Sequence, residues 1–309
     1  MCHFVREEIM CNFVKTFFSM KHSFLSCALA GLLLASCAEQ APAPRTVKYT
    51  QQPGTVKLIS YNIRQSGLAA NDGPNAWPKR KEATLNMIER EVPGVLGLQE
   101  LLPDQQRYIR AAFPQYGFVG VGRDDGKDAG ECMGVMYLQE VFDLLRSGTF
   151  WLSETPDQVS KGWDAACHRT VTWVELQEKS GGRKFFFLNT HLDHVGEVAR
   201  AESIKLIVSK IAELVPEGEP VLLGGDLNSA VDSPIFAPLA EAGLEPARET
   251  APETSHSGTF NAFGSAPSGI VLDHIFARGV SPLKFETLKG NYGAALISDH
   301  YPIAFTFGL

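Results

Sequence analysis

Cysteine is scarce in this 309-residue chain, and most of it lies near the N-terminus. Beyond Cys37 only Cys132 and Cys167 remain, two widely separated thiols that form neither a zinc motif nor a disulfide framework, leaving a single bridge open. Runs of like charge are absent too. The net charge is -7 with no basic stretch, which argues against a high-affinity electrostatic binder of nucleic acid while leaving room for an enzyme that meets such a substrate transiently. No apolar run reaches the roughly 20 residues that a spanning helix needs; Phe24 to Ala35 reads instead as the h-region of a signal peptide. Internal repeats are lacking beyond Gly54. What remains is 44% hydrophobic and 20% charged, the composition of a globular chain of one large domain or two small ones.

The leader carries its own signal. Leu34-Ala35-Ser36-Cys37 resembles the lipobox of bacterial lipoproteins, and the resemblance implies that Cys37 is lipidated, making the mature protein exported and anchored to a bacterial membrane. Met20-Lys21-His22 is a better basic start than the preceding segment with Glu7 and Glu8, so translation is expected to begin at Met20. Residues 1–37 are then the leader, and the polar, proline-bearing residues 38–54 a flexible tether. One folded domain is expected over 55–309.

That domain alternates strands and helices, with several strand pairs lacking a helix between them. A β-rich run from Val56 places Asn62 at its end, and Leu85, Ile88 and Val92 share one face of a helix stopped by Pro93. Val95 to Gln99 reads as a buried strand delivering Glu100 at its tip, which is uncommon unless the charge is solvated, paired or bound to a cation. A helix after Pro103, strands over 132–138, 141–152, 170–176 and 185–191, a helix over 197–215, and strands from Val221, over 269–276 and over 298–307 complete the pattern. This fits an α/β (α+β) four-layer sandwich, two packed mixed β-sheets with helices on the outer faces. Strand ends in such folds gather functional residues at one edge.

The most informative stretch is Val221 to Ser229, a buried-strand pattern that breaks through Gly224-Gly225 into Asp226 and Asn228. If the extended backbone persists, both side chains point the same way, a carboxylate beside an amide suited to holding and activating a water. An Asx-rich turn is the alternative. Collected with Asn62, Glu100, His191, Asp273, Asp299 and His300, the pair completes the groups that a metal-dependent phosphate hydrolase needs.

"SYNIR", "LQE", "NTHLDH", "GGDLN", "LDHIF" and "SDHYP", in this order across the domain, resemble the endonuclease/exonuclease/phosphatase superfamily. "GRDDG", "SGTFWLSETP" and "GWDAACHRT" resemble a bacterial, often exported subgroup of it. The resemblance implies Mg²⁺ or Mn²⁺ on Glu100, with Asn62 and Asp299 as further ligands directly or through water. It implies Asp226 as the residue that orients and deprotonates water, with Asn228 fixing that carboxylate or the phosphate. His300 would donate to a phosphate oxygen and Asp273 would orient it. His191 would serve as general acid or phosphate donor, oriented by Glu131, and Arg169 as a phosphate clamp. Taken singly, Asn62 also suits a turn, Asp299 a helix cap and Arg169 a solvated strand; Asp193 and His194 suit either a pocket wall or a helix start. Trp77 and Trp163, read as loop residues, are candidates for binding platforms.

The expected activity is metal-dependent phosphoester hydrolysis of the phosphodiesterase or nuclease type by a monomer. Alternatives are a phosphomonoesterase on sugar or inositol phosphates and a sphingomyelinase-like lipid phosphodiesterase, so nucleic acid, phospholipid and sugar phosphate are the candidate substrates. A non-catalytic binding module is the alternative from another class.

Overall fold

The computed structural model describes residues 41–309, so the leader and Cys37 lie outside the described residues. Within them thirteen strands build two sheets: β1 (Thr55–Asn62), β2 (Val95–Leu101), β3 (Tyr116–Val119), β4 (Cys132–Leu138), β5 (Phe142–Trp151), β6 (Thr170–Glu178), β7 (Lys184–His191), β8 (Val221–Asp226), β9 (Glu245–Pro246), β10 (Glu253–Thr254), β11 (Asp273–Arg278), β12 (Ser281–Thr287) and β13 (Ile303–Gly308). One sheet has the order β10-β12-β13-β1-β2-β4-β3 and the other β5-β6-β7-β8-β11-β9. Both are mixed: β1 runs parallel to β2 and β7 parallel to β8 within otherwise largely antiparallel ladders.

Residue alternation along the strands sorts the layers. Val56 and Leu58 of β1, with Val95 of β2, face Phe185, Phe187, Leu222 and Ile275 of the other sheet in a core between the sheets. The opposite parity, Ile59 and Tyr61 with Leu96 and Leu98, packs against Leu85, Ile88 and Ile109 of the helices Trp77–Glu91 and Pro103–Ala112. Phe186, Leu188 and Leu223 cover Ile204, Ile207 and Ile211 of the helix Glu197–Leu214. The chain thus builds the expected sandwich of two sheets between outer helices.

Three expectations are revised, and the open question of the two thiols is answered. The flexible tether does not extend to Gly54: from Arg45 the chain lies on the domain, Arg45 pairing with Glu82 and Glu89 while Val47 is buried and the Tyr49 hydroxyl takes the Lys57 N–H. Two apolar side chains that find cover outweigh the prolines around them. The last strands start later than expected, at Asp273 and Ile303, leaving Ser298 to Pro302 irregular; Pro302 has no N–H for the ladder. The strand β12 had no counterpart in the sequence reading. Cys132 and Cys167 are both free thiols. Among the described residues no helix is long and apolar enough to cross a membrane.

Candidate active site

Three of the expected residues stand side by side because of strand register. His191 at the end of β7 is paired with Asp226 at the end of β8, and Asp226 with Asp273 at the start of β11. Each shares the parity of an inter-sheet core residue, Phe187, Leu222 and Ile275 respectively, so all three project into the edge between the sheets. Asn62 has the parity of Leu58 and arrives from the facing sheet. Gly225, at φ +151°, is needed here: a Cβ would run into the Thr190 carbonyl of β7. Beneath the site the core turns polar, Gln99 Nε2 reaching Asn189 Oδ1 at 2.7 Å and Ser60 Oγ at 3.1 Å. Asn189 Nδ2 in turn donates to the carbonyls of Leu98 and Gly134, so this buried layer is fixed across both sheets.

Alternation alone would send Glu100 outward with Leu96 and Leu98. Instead the β2–β4 register breaks between Leu98 and Leu101, and Glu100 takes a left-handed φ of 59°. This bulge re-aims the carboxylate into the site. There Oε1 accepts from Asn62 Nδ2 at 3.1 Å and Oε2 from the Gln65 N–H at 3.1 Å. Asn62 Nδ2 also donates to Asp226 Oδ2 at 3.0 Å, while Asn62 Oδ1 accepts from the Arg64 N–H. Asn62 therefore bridges two carboxylates with its nitrogen, while its oxygen takes the Arg64 N–H.

Asp273, His300 and Asp226 form a relay. His300 Nδ1 lies 2.8 Å from Asp273 Oδ2 and its Nε2 3.6 Å from Asp226 Oδ2; His191 Nε2 approaches the same oxygen at 3.4 Å. Burial works against a charge on His300, but Asp273 and then Asp226 push it up to about 10. Burial pushes Asp226 up to about 7, with His300 pulling it back and Asp273 adding to the rise. His191 is held well below its ordinary value, first by burial and then by the charges of Arg169 and Arg123. The site thus pairs a cationic histidine with a neutral one, on either side of a carboxylate that ionises near neutrality.

Glu131 departs from expectation, and Asn228 and Trp77 do so in part. Glu131 makes no hydrogen bond to His191, whose Nδ1 is buried without a partner; its carboxylate is claimed by Arg123 Nη1 at 2.6 Å and Gln65 Nε2 at 2.8 Å. Burial and the nearby Glu100 push Glu131 up to about 7 despite Arg123 and Arg169. Asn228 sits at a left-handed φ of 47°, past the strand end, so it does not point with Asp226 as an extended tip would require. Its backbone N–H holds Asp226 Oδ1 at 3.0 Å and its side chain donates to the Leu192 carbonyl. Arg169 is buried, which sets aside the reading of it as a solvated strand residue. Trp77 belongs to the core at a helix start, whereas Trp163 does sit in a loop, half-buried.

Sequence reasoning missed the residues that hold these groups. Arg64 grips Asp72 through two nitrogens and reaches Asp299 Oδ2 at 3.4 Å. The buried guanidinium of Arg80 donates to the carbonyls of Ile63, Arg64 and Ile297, tying the segment after Asn62 to the one before Asp299. Ser298 Oγ donates to the Asn62 carbonyl at 2.7 Å. Arg64 and Gln65 lie two and three residues after Asn62, and that proximity was the available signal.

The donor chemistry fits a hard divalent cation at Glu100 and Asp299. Both are carboxylates, and Asp299 is pushed up by burial and by the negative charge of Glu100, with His300 and Arg64 opposing; a cation between them would relieve that repulsion. Asp226, Asp273 and His300 also lie close to one another, with His300 Nδ1 on Asp273 and its Nε2 facing Asp226.

A two-sheet sandwich carrying carboxylates and an oriented histidine at one edge is the architecture of a phosphoesterase, and the chain is a hydrolase of that class. It belongs to the Endonuclease/Exonuclease/phosphatase family, whose sequence profile matches residues 59–300. An endonuclease/exonuclease/phosphatase from Bacteroides vulgatus is 36% identical, covering 82% of this chain and 99% of that one with a TM-score of 0.78. A mannosyl-6-phosphatase of Bacteroides thetaiotaomicron VPI-5482 is 32% identical, covering 82% of this chain and 100% of that one with a TM-score of 0.77. An uncharacterized protein of Acanthamoeba polyphaga mimivirus is 26% identical over 273 residues, 82% of this chain and 100% of that protein.

Proposed function

We propose that this chain is a divalent-metal-dependent phosphatase of sugar monophosphates, with Mg²⁺ or Mn²⁺ held by Glu100 and Asp299. The observation that carries hydrolysis is the Asp273–His300–Asp226 relay beside those two carboxylates. The bound cation would neutralise charge on the phosphoryl oxygens. Asp226 orients the attacking water and takes its proton, held in place by Asn62 Nδ2 and the Asn228 N–H. His300, kept protonated by Asp273, donates from Nε2 to a non-bridging oxygen. His191, held neutral, offers its ring N–H as a hydrogen-bond donor to the phosphoryl group, and the leaving oxygen takes up the proton that Asp226 removed from the water. The monoester reading draws on the full-length likeness to a mannosyl-6-phosphatase and on the absence of any basic stretch that a long nucleic acid would favour.

A substrate panel tests this. Hexose phosphates, a generic phosphodiester, plasmid DNA, RNA and sphingomyelin are each incubated with Mg²⁺, Mn²⁺ or a chelator. Hexose phosphate hydrolysis that chelator abolishes is the expected result. Turnover restricted to diesters would replace the monoester reading with the nuclease or lipid one, and turnover indifferent to chelator would remove the metal.

The mature protein in this proposal acts outside the cytoplasm as a monomer, anchored by lipid on Cys37. The leader pattern supports this. In bacterial cells fed labelled palmitate, label is expected in the wild type and not in Cys37→Ser; equal labelling of both would defeat the anchor.

A further inference from the structure

Arg169 stands just before β6 and is 4% exposed. Two of its three guanidinium nitrogens are engaged: Nε donates to Asp193 Oδ2 at 3.2 Å, and Nη2 lies 2.9 Å from His194 Nδ1. An arginine carries no acceptor, so in this contact His194 Nδ1 is the acceptor. The third nitrogen, Nη1, is buried with no hydrogen-bond partner. Leaving a charged donor buried and unmet is destabilising unless a ligand satisfies it. Strand register places Arg169 beside the reaction centre: Val171 of β6 pairs with Thr190 of β7, the residue before His191, and the Thr190 hydroxyl donates to the Thr170 carbonyl at 3.0 Å.

Asp193 is saturated in a way that explains this pose. Its Oδ1 accepts the N–H groups of Val195 at 3.0 Å and Gly196 at 2.8 Å; its Oδ2 accepts Cys167 N–H at 3.3 Å and Arg169 Nε. Burial pushes the carboxyl up, but the N–H donors and Arg169 together hold it well below the usual carboxylate range. It therefore fixes three segments at once: the run from Cys167 to Arg169, the chain leaving His191, and the approach to the helix Glu197–Leu214. Cys167, Asp193 and His194 also lie close enough together to suggest a metal group. With every Asp193 oxygen occupied and His194 Nδ1 committed to Arg169, this cluster serves the arginine instead.

We propose that Asp193, with His194, is a positioning residue for phosphate binding: the pair holds the Arg169 guanidinium from two sides so that Nη1 is reserved for a substrate phosphoryl oxygen. This rests on the phosphatase reading above. A substrate oxygen would satisfy the orphaned donor by a charge-assisted hydrogen bond.

Inorganic phosphate is the probe, titrated in the presence of Mg²⁺ and read by calorimetry, so that no turnover is required. Asp193→Asn keeps an acceptor for the Val195 and Gly196 N–H groups and removes the one for Arg169 Nε. Phosphate binding is expected to weaken about 10-fold or more in Asp193→Asn and in Arg169→Ala, with the double variant no weaker than Arg169→Ala alone. His194→Ala should weaken it in the same direction, and His194→Gln, which keeps an acceptor, should restore it. Additive losses in the double variant, or a lower melting temperature in Asp193→Asn with phosphate affinity intact, would show Asp193 to be a helix-start residue only and overturn the inference. Phosphate binding that is unaffected by Arg169→Ala would also overturn it, while leaving the phosphatase reading standing. No phosphate binding by the wild type would refute that reading and this inference together.

Discussion

Asp226→Asn is expected to lower kcat by about 10²–10⁴ without unfolding the protein, because it removes the proton acceptor at the centre of the site and keeps its shape. Steady-state kinetics on the best substrate of the panel measure it, with circular dichroism to verify folding; turnover within a few-fold of wild type would remove Asp226 as the base. The pH dependence gives a second check. The base must be ionised, and burial pushes Asp226 up to about 7, so kcat/KM of the wild type should rise with pH through about 7. Stability runs the other way. A folded value above the unfolded one means that the neutral form is favoured by folding, so this group's contribution is present below its unfolded value of 3.8 and lost as pH rises through about 7. The melting temperature of the wild type should therefore fall relative to that of Asp226→Asn between those limits. A constant difference would contradict the raised carboxyl. Activity and stability thus oppose each other at one residue, as expected where a charge is buried for its chemistry.

Much of this site was legible in the sequence because strand ends are legible. His191, Asp226 and Asp273 were found by reading apolar runs to their polar tips, and register then did what alternation implies, setting the three side by side. Glu100 was found as a residue but not as a direction: its aim depends on a bulge and a left-handed backbone, neither of which a single sequence announces. For Asn228 the turn alternative is the one the chain adopts: the extended strand ends at Asp226, and Asn228 fixes that carboxylate through its backbone N–H and not its side chain. The Glu131–His191 pairing was carried by resemblance alone, and Arg123 and Gln65, close in space but invisible as a motif, claim that glutamate. The strand β12 was missed because Pro282, Lys284 and Glu286 interrupt its apolar signal; it lies near the sheet edge, beside the two-residue β10, where proline and charge are tolerated. The helix Trp77–Glu91 was legible as an amphipathic segment. Its buried Arg80, which gathers carbonyls from both loops flanking the site, is a tertiary feature without a local signature.

Asp273→Asn is expected to be costly in both currencies, activity and stability. Asp273 and His300 are each about 95% buried or more, and removing one partner of a buried, hydrogen-bonded charge pair costs about 3–5 kcal/mol. The sign with pH is fixed by the histidine. Its folded value, raised to about 10 by Asp273 and Asp226, lies above the unfolded 6.5, so the stabilisation is fully present below 6.5 and lost as pH rises through about 10. Thermal unfolding should show the variant well below wild type at pH 6 and the gap narrowing towards pH 10; a gap of the same size across that range would mean that the pair is not a charged one. Activity should fall by about 10–100-fold at neutral pH, the usual cost of losing the partner that orients a functional imidazole. The alkaline limb of kcat/KM should also move to lower pH, because His300 without Asp273 sheds the proton that it is proposed to donate to the phosphate. A loss of activity with the limb unmoved would leave Asp273 a structural residue and take the proton on His300 out of the mechanism.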